Sequence, residues 1–204
     1  MKELITKSIL LFFLGLSIVS CSKDDDVDYT LQSKFDIFEV QADNKTVLMK
    51  GEIKSSTLGD FKHMLEGHPN IKIIKMVEVP GSNDDETNFK VGKLLREKGI
   101  NTHIVDKGMI ASGGVDFFLA GVKRTKEGTV KLGVHSWSDS DGKQAIDFPE
   151  SSSEHRPNIQ YYEDLGYSKE WSKDFYFFTI KAAKAEDVHW MTEEEIEKYK
   201  MFTE

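Results

Sequence analysis

Ser112 and His135 are the residues of this chain whose type and surroundings best suit acyl-transfer chemistry. Ser112 stands in Gly108-Met109-Ile110-Ala111-Ser112-Gly113-Gly114, at the mouth of the apolar run Val115-Asp116-Phe117-Phe118-Leu119-Ala120-Gly121. A bulky neighbour there would block a substrate carbonyl. Amides that open a helix have no acceptor inside it, so those of Gly113 and Gly114 are expected to point outward. His135 ends the short hydrophobic strand Leu132-Gly133-Val134-His135-Ser136, a placement that holds an imidazole rigidly at a cleft edge. Together they read as a serine nucleophile and its base. Taken singly, each has a plainer reading: a helix cap for Ser112 and a satisfied surface histidine for His135.

The elements around them supply a frame. Thr46 to Lys54 and Ile71 to Val79 are strand-like, and Thr57 to Glu66 between them has helical spacing through Leu58, Phe61 and Leu65. Pro80-Gly81-Ser82 and a polar opening at Asn83-Asp84-Asp85-Glu86 precede a helix carrying Phe89, Val91, Leu94 and Leu95, stopped at Lys98-Gly99. Asn101 to Val105 returns as a strand, and the Ser112 segment follows. This alternation predicts an α/β fold of repeated β-α-β units, with a mostly parallel sheet and right-handed crossovers. Ligands of such sheets sit at the carboxyl ends of strands, where Pro80-Gly81-Ser82, Ser112 and His135 all fall.

Beyond them, Asn158 to Tyr167 and Lys169 to Ala185 read as carboxy-terminal helices. Trp171, Phe175, Phe178 and Ile180 would form apolar faces suited to self-association, hence a homo-oligomer. Thr192-Glu193-Glu194-Glu195 is a capping box opening a final helix, with Trp190 placed to staple it. The polar stretch from Ser136 to Pro157 is long for a compact domain and reads as a flap over the cleft. Trp137 and Phe148 would either contact substrate or pin the flap to the core.

Val47-Leu48-Met49-Lys50-Gly51-Glu52-Ile53, Val79-Pro80-Gly81-Ser82, Ala111-Ser112-Gly113-Gly114, Leu119-Ala120-Gly121-Val122-Lys123-Arg124 and Gly133-Val134-His135-Ser136 occur in the order found in the Clp protease proteolytic subunit and its periplasmic relatives. The chain thus resembles the Clp protease branch of the crotonase-like superfamily over about residues 46 to 200. That resemblance implies Ser112 as nucleophile, His135 as general base, and the Gly113 amide as one oxyanion donor with Ser82 supplying the second. The family pattern has Pro-Gly-Gly where this chain has Pro80-Gly81-Ser82, so a residue that resists positive φ stands near the hole. An acid is expected to orient His135. Lys184 occupies the position of the family's aspartate, leaving Asp187 as the candidate, with Glu186, Asp174 and Asp164 as competitors.

The amino terminus is a separate signal. A short basic opening, Met1 to Lys7, leads into an apolar core from Ile9 to Val19, too short for a span of ~20 residues and suited to a secretory leader. Ser17-Ile18-Val19-Ser20-Cys21 resembles a bacterial lipobox. Cys21, the sole cysteine, would be acylated after cleavage before it and has no partner for a disulfide. The expected organisation is a signal peptide over 1–20, a lipidated cysteine with acidic tether and lead-in over 21–45, and the Clp-like domain over 46–204. The tether Ser22-Lys23-Asp24-Asp25-Asp26-Val27-Asp28 is too acidic and short to fold. Such a protein would sit in a Gram-negative outer membrane, facing the periplasm or the cell surface.

The formal charge of −8 becomes one unit more negative without the leader, because that segment holds Lys2, Lys7 and Glu3. This balance argues against nucleic acid as a partner. The histidines lack carboxylates or cysteines at ligand spacing, and no phosphate-binding glycine motif is present, so neither metal nor cofactor is expected. The sequence therefore predicts a membrane-anchored serine hydrolase, a peptidase acting on short or unfolded peptides. The alternative is a catalytically silent lipoprotein that binds peptide or protein ligands in the same cleft.

Overall fold

The computed structural model describes residues 28–203; the proposed signal sequence, Cys21 and most of the acidic tether lie outside the described residues. One sheet runs through the molecule. Its strands are β1 (Lys34–Phe35), β2 (Phe38–Val40), β3 (Thr46–Lys50), β4 (Ile73–Val79), β5 (Asn101–Ala111), β6 (Arg124–Lys126), β7 (Lys131–Val134) and β8 (His189–Trp190). They lie in the order β1-β2-β3-β4-β5-β7-β8, with β6 paired to the start of β5. β3, β4, β5, β6 and β7 are parallel, and the two edges, β1-β2-β3 and β7-β8, are antiparallel. The mostly parallel α/β architecture is therefore present. The first two strands come from the lead-in, which the sequence presents as a tether, and turn Phe35, Phe38 and Val40 inward.

Helices α1 (Thr57–Gly67), α2 (Asp85–Glu97) and α3 (Gly113–Leu119) fill the crossovers. α2 starts where Asp84 accepts the Thr87 amide at 2.9 Å, satisfying a donor that the helix cannot. Phe61 of α1 and Phe117 of α3 meet Phe38 of β2, with ring centroids 5.3 and 6.3 Å apart, and all three are fully buried. Buried aromatics from three separate elements thus anchor this layer to one sheet face.

β5 extends well past the predicted end at Val105. Met76 pairs with Ile104 but Glu78 pairs with Met109, so Val105 to Gly108 bulge out of the ladder, with Lys107 at φ 60°. The polar Asp106-Lys107-Gly108 looks like a turn in sequence, yet the strand resumes beyond it. Its first half serves β6 and its last three residues serve β7.

Helices α4 (Arg156–Asp164), α5 (Lys169–Ala182) and α6 (Glu193–Lys198) complete the domain. α4 is fastened to α3 by Tyr161, whose hydroxyl donates to the Asp116 carbonyl at 2.9 Å and whose ring stacks on Phe89. The aromatic residues of α5 do not form an exposed face. Phe175, Tyr176 and Phe177 are buried, Trp171 and Phe178 are half-buried, and this cluster packs on Tyr162 and Tyr199 within the same chain. These side chains are covered within the chain by α4 and Tyr199 rather than presented as the expected apolar face. The capping box at Thr192 and Glu195 forms as expected. Trp190 lies across Gly133 of β7, with Lys131 over its ring at 5.6 Å.

α3 sits unusually close to the sheet. A Cβ added at Gly114 would lie 2.5 Å from the Val79 carbonyl oxygen, a backbone atom that cannot turn aside. Gly114→Ala is expected to cost ~2 kcal/mol and to lower Tm by about 5 °C, measured by thermal and denaturant unfolding; an unchanged Tm would contradict this packing.

Candidate active site

Ser112 occupies the turn between the end of β5 and the first residue of α3. Its backbone lies at φ 50°, ψ −129°, a conformation that side-chain-bearing residues adopt only when the surroundings enforce it. Two contacts enforce it. The Ser112 amide donates to the Gly133 carbonyl of β7 at 2.9 Å, and the Val115 amide donates back to the Ser112 carbonyl at 2.8 Å. A sharp strand-to-helix turn of this kind lifts a nucleophile's side chain clear of the sheet. Ser112 Oγ makes no hydrogen bond among the described residues, and it does not cap the helix.

The same pairing delivers the imidazole. Ala111 is in register with Gly133, so His135 leaves the end of β7 beside the Ser112 turn, and both residues line one cavity of about 50 Å³. His135 Nδ1 lies 2.6 Å from the Ser136 carbonyl oxygen. A carbonyl only accepts, so Nδ1 carries the proton and Nε2 keeps its lone pair, the form a general base requires. No hydrogen bond joins His135 to Ser112 among the described residues; in ligand-free hydrolases such bonds commonly close only around substrate.

Ser82 and Gly113 are also brought together. The side chain of Ser82 packs directly against the α-carbon of Gly113, where any Cβ would collide with it. Ser82 forms a parallel bridge with Ile53 in which Gly81 and Asn83 make the hydrogen bonds, so the Ser82 amide takes no part in that bridge. The positive φ at this turn, 153°, falls on Gly81, and Ser82 keeps a negative one. A serine in place of the family glycine is therefore accommodated without strain. Its hydroxyl donates to the Asp85 carboxylate.

The carboxylates considered for orienting His135 lie elsewhere. Asp187 is exposed in the turn before β8, its amide bonded to the Lys184 carbonyl, and it lines a separate shallow depression with Lys184 and His189. Glu186 accepts from Gln144, Asp174 pairs with Lys198, and Asp164 pairs with Lys93. None of the four lines the cavity that holds Ser112 and His135.

Two acids do line it, Asp85 and Asp116. Asp116 carries a weak sequence signal, a lone carboxylate within the apolar run that follows the serine. Its Oδ1 accepts the Tyr162 hydroxyl at 2.5 Å. Burial raises the Asp116 carboxyl to about 7 and the nearby Asp85 charge adds to the rise, while the Tyr162 bond opposes it.

The flap is ordered by a chain of hydrogen bonds. Trp137 Nε1 donates to the Tyr176 hydroxyl at 2.9 Å, that hydroxyl lies 2.8 Å from His155 Nδ1, and His155 Nε2 lies 3.1 Å from the Pro149 carbonyl. Of the two flap aromatics, Trp137 lines the cavity, whereas Phe148 packs behind it at 5.6 Å. Among the described residues no group of three or more His, Cys, Asp or Glu side chains is placed to hold a metal ion, and no helix is long and apolar enough to cross a membrane.

This architecture, with a serine at a strained strand-to-helix turn and a histidine on the neighbouring parallel strand, has the fold of Clp-type serine peptidases. The chain is similar to the Clp protease catalytic domain from Plasmodium falciparum at 14% identity and a TM-score of 0.53, covering 79% of this chain and 83% of that one. It is also similar to two structures of the 1510-N membrane-bound stomatin-specific protease, both mutants and one in complex with a substrate peptide. Each is 18% identical and covers 76% of this chain, with TM-scores of 0.51 and 0.52 and 71% and 75% of the other chain covered. No family profile matches the chain, and no curated protein matches it.

The Asp116 carboxyl gives a pH prediction. An unfolded aspartate ionises near 3.8, so folding takes up a proton between that value and about 7. This group's contribution is then fully present below pH 4 and is lost as pH rises through 7. Asp116→Asn should gain in Tm relative to wild type between pH 5 and pH 8; parallel melting curves for the two proteins would refute the assignment.

Proposed function

We propose that this protein is a membrane-anchored, extracytoplasmic serine hydrolase, a peptidase acting on short or unfolded peptides. The observation that carries the reading is the meeting of Ser112, in its enforced turn, with His135 in one small cavity. In the reaction Ser112 Oγ attacks the scissile carbonyl while His135 Nε2 takes its proton, then returns it to the leaving amine. The amides of Gly113 and Ser82 receive the oxyanion. The Ser136 carbonyl takes the place of the orienting acid, which makes the machinery a dyad with a backbone-held base. The anchor is the lipid on Cys21, and the acidic residues after it serve as the tether. An outer-membrane location follows from the lipobox, with either the periplasmic or the surface face open to it.

One observation favours a second reading. A carbonyl holds the imidazole in place but offers no full charge to the imidazolium that catalysis creates, which suits a cleft that binds peptides without cutting them.

A fluorophosphonate probe decides between them. Wild type is expected to label, Ser112→Ala not at all, and His135→Ala at least about a hundredfold more slowly; an unlabelled wild type would leave the binding reading. Metabolic labelling with an alkyne fatty acid should mark the chain and be abolished by Cys21→Ser. Persistence of the label in that variant would refute the anchor.

A further inference from the structure

The wall of the cavity beside Ser112 is acidic and aromatic, and no lysine or arginine lines it. Asp85 arrives from the first turn of α2 and Asp116 from α3. Asp116 lies in the first turn of α3, directly after the non-helical Ser112 turn, and both residues line the cavity. Its Oδ1 is taken by Tyr162, while Oδ2 has no hydrogen-bond partner among the described residues and is left to the cavity. Trp137, Tyr162 and Tyr176 supply aromatic surface around it. At about 50 Å³ the space holds roughly three to five waters, room for the end of one side chain.

Three classes of side chain can be weighed against this wall. An acidic one would add a third like charge. An aliphatic one would strip the remaining water from Asp116 without pairing it, a costly burial of a carboxyl. A cationic one would pair Oδ2, relieve the repulsion between the two carboxylates and lie against aromatic faces that attract cations. Burial raises the Asp116 carboxyl and the nearby Asp85 charge adds to the rise, both of which a paired cation would oppose.

We propose that this cavity receives the lysine or arginine side chain of a peptide substrate, the residue whose carbonyl is presented to Ser112, with Asp116 as its counter-charge and Asp85 as a second. The assignment of that side chain's position rests on the hydrolase reading above; the affinity for the cation does not.

The test therefore separates binding from chemistry. Calorimetric titration of Ser112→Ala protein uses three acetylated peptides identical except for a carboxy-terminal lysine amide, norleucine amide or glutamate amide. The lysine peptide is expected to bind at least about tenfold more tightly than the norleucine peptide, with glutamate weakest. Adding Asp116→Asn should bring the lysine-to-norleucine ratio to within about twofold, and Asp85→Asn should reduce it in part. Absence of lysine-peptide binding, equal binding of lysine and norleucine peptides, or a lysine preference that survives both substitutions overturns the proposal. Fluorophosphonate labelling without a lysine preference would overturn the cation pocket and leave the hydrolase standing. A lysine preference that depends on Asp116 in a protein that never labels would uphold the pocket and remove the hydrolase.

Discussion

The parallel pairing of the last three residues of β5 with β7 is the constraint on which the site depends. It ends in the bond from the Ser112 amide to the Gly133 carbonyl, which holds the serine backbone in its left-handed turn and sets the histidine's strand alongside. Ser112 and His135 are 23 positions apart in the chain, and a single ladder rung decides whether they share a cavity. Backbone strain of the kind found at Ser112 costs on the order of 1–3 kcal/mol and persists only where neighbours over-determine it. Here the neighbours are the ladder on one side and the glycine-tight seat of α3 against Val79 on the other.

The tyrosines of α4 turn that seat into a chemical environment. Tyr161 and Tyr162 both bond Asp116, one through its carbonyl and one through its carboxyl, so α4 roofs the first turn of α3 and keeps water from the acid. The cost of that shielding falls on Asp116, the benefit on any charge that enters to meet it. Trp137 also lines the cavity and is tied through Tyr176 and His155 to the flap, so cavity, flap and α5 share one bonded framework.

The alternation of strands and helices was legible because parallel strands are continuous apolar runs and the helices between them carry 3.6-residue spacing. Ser112 and His135 were legible because small residues around a serine, and a histidine ending a strand, are local patterns. Asp116 was not. A single carboxylate in an apolar run reads the same whether it faces solvent or a cavity, and only the arrival of α4 decides which. The second half of β5 was hidden by Asp106-Lys107-Gly108, a turn-like triplet that the ladder absorbs as a bulge. The covering of the α5 aromatics was not legible, because a helix with aromatic residues on several faces gives no sign of how many neighbours cover it. Asp187, an acid chosen by its position along the chain, lines a different depression together with Lys184.

The bulge at Val105 to Gly108 also acts as a parity device. Side chains alternate across a strand, so the count of residues between Ile104, which faces the core, and Ser112 decides which side of the sheet the hydroxyl reaches. The loop is held in place by Asp106, whose Oδ1 accepts the Thr129 amide at 3.0 Å, and by Gly108, where Ile104 and the Met76 carbonyl leave no room for a Cβ; losing one residue would roll Met109 to Ala111 over and bury the hydroxyl under the helical layer or strand it on the opposite surface. Length and identity at this spot are therefore both constrained, in a stretch that does not line the cavity.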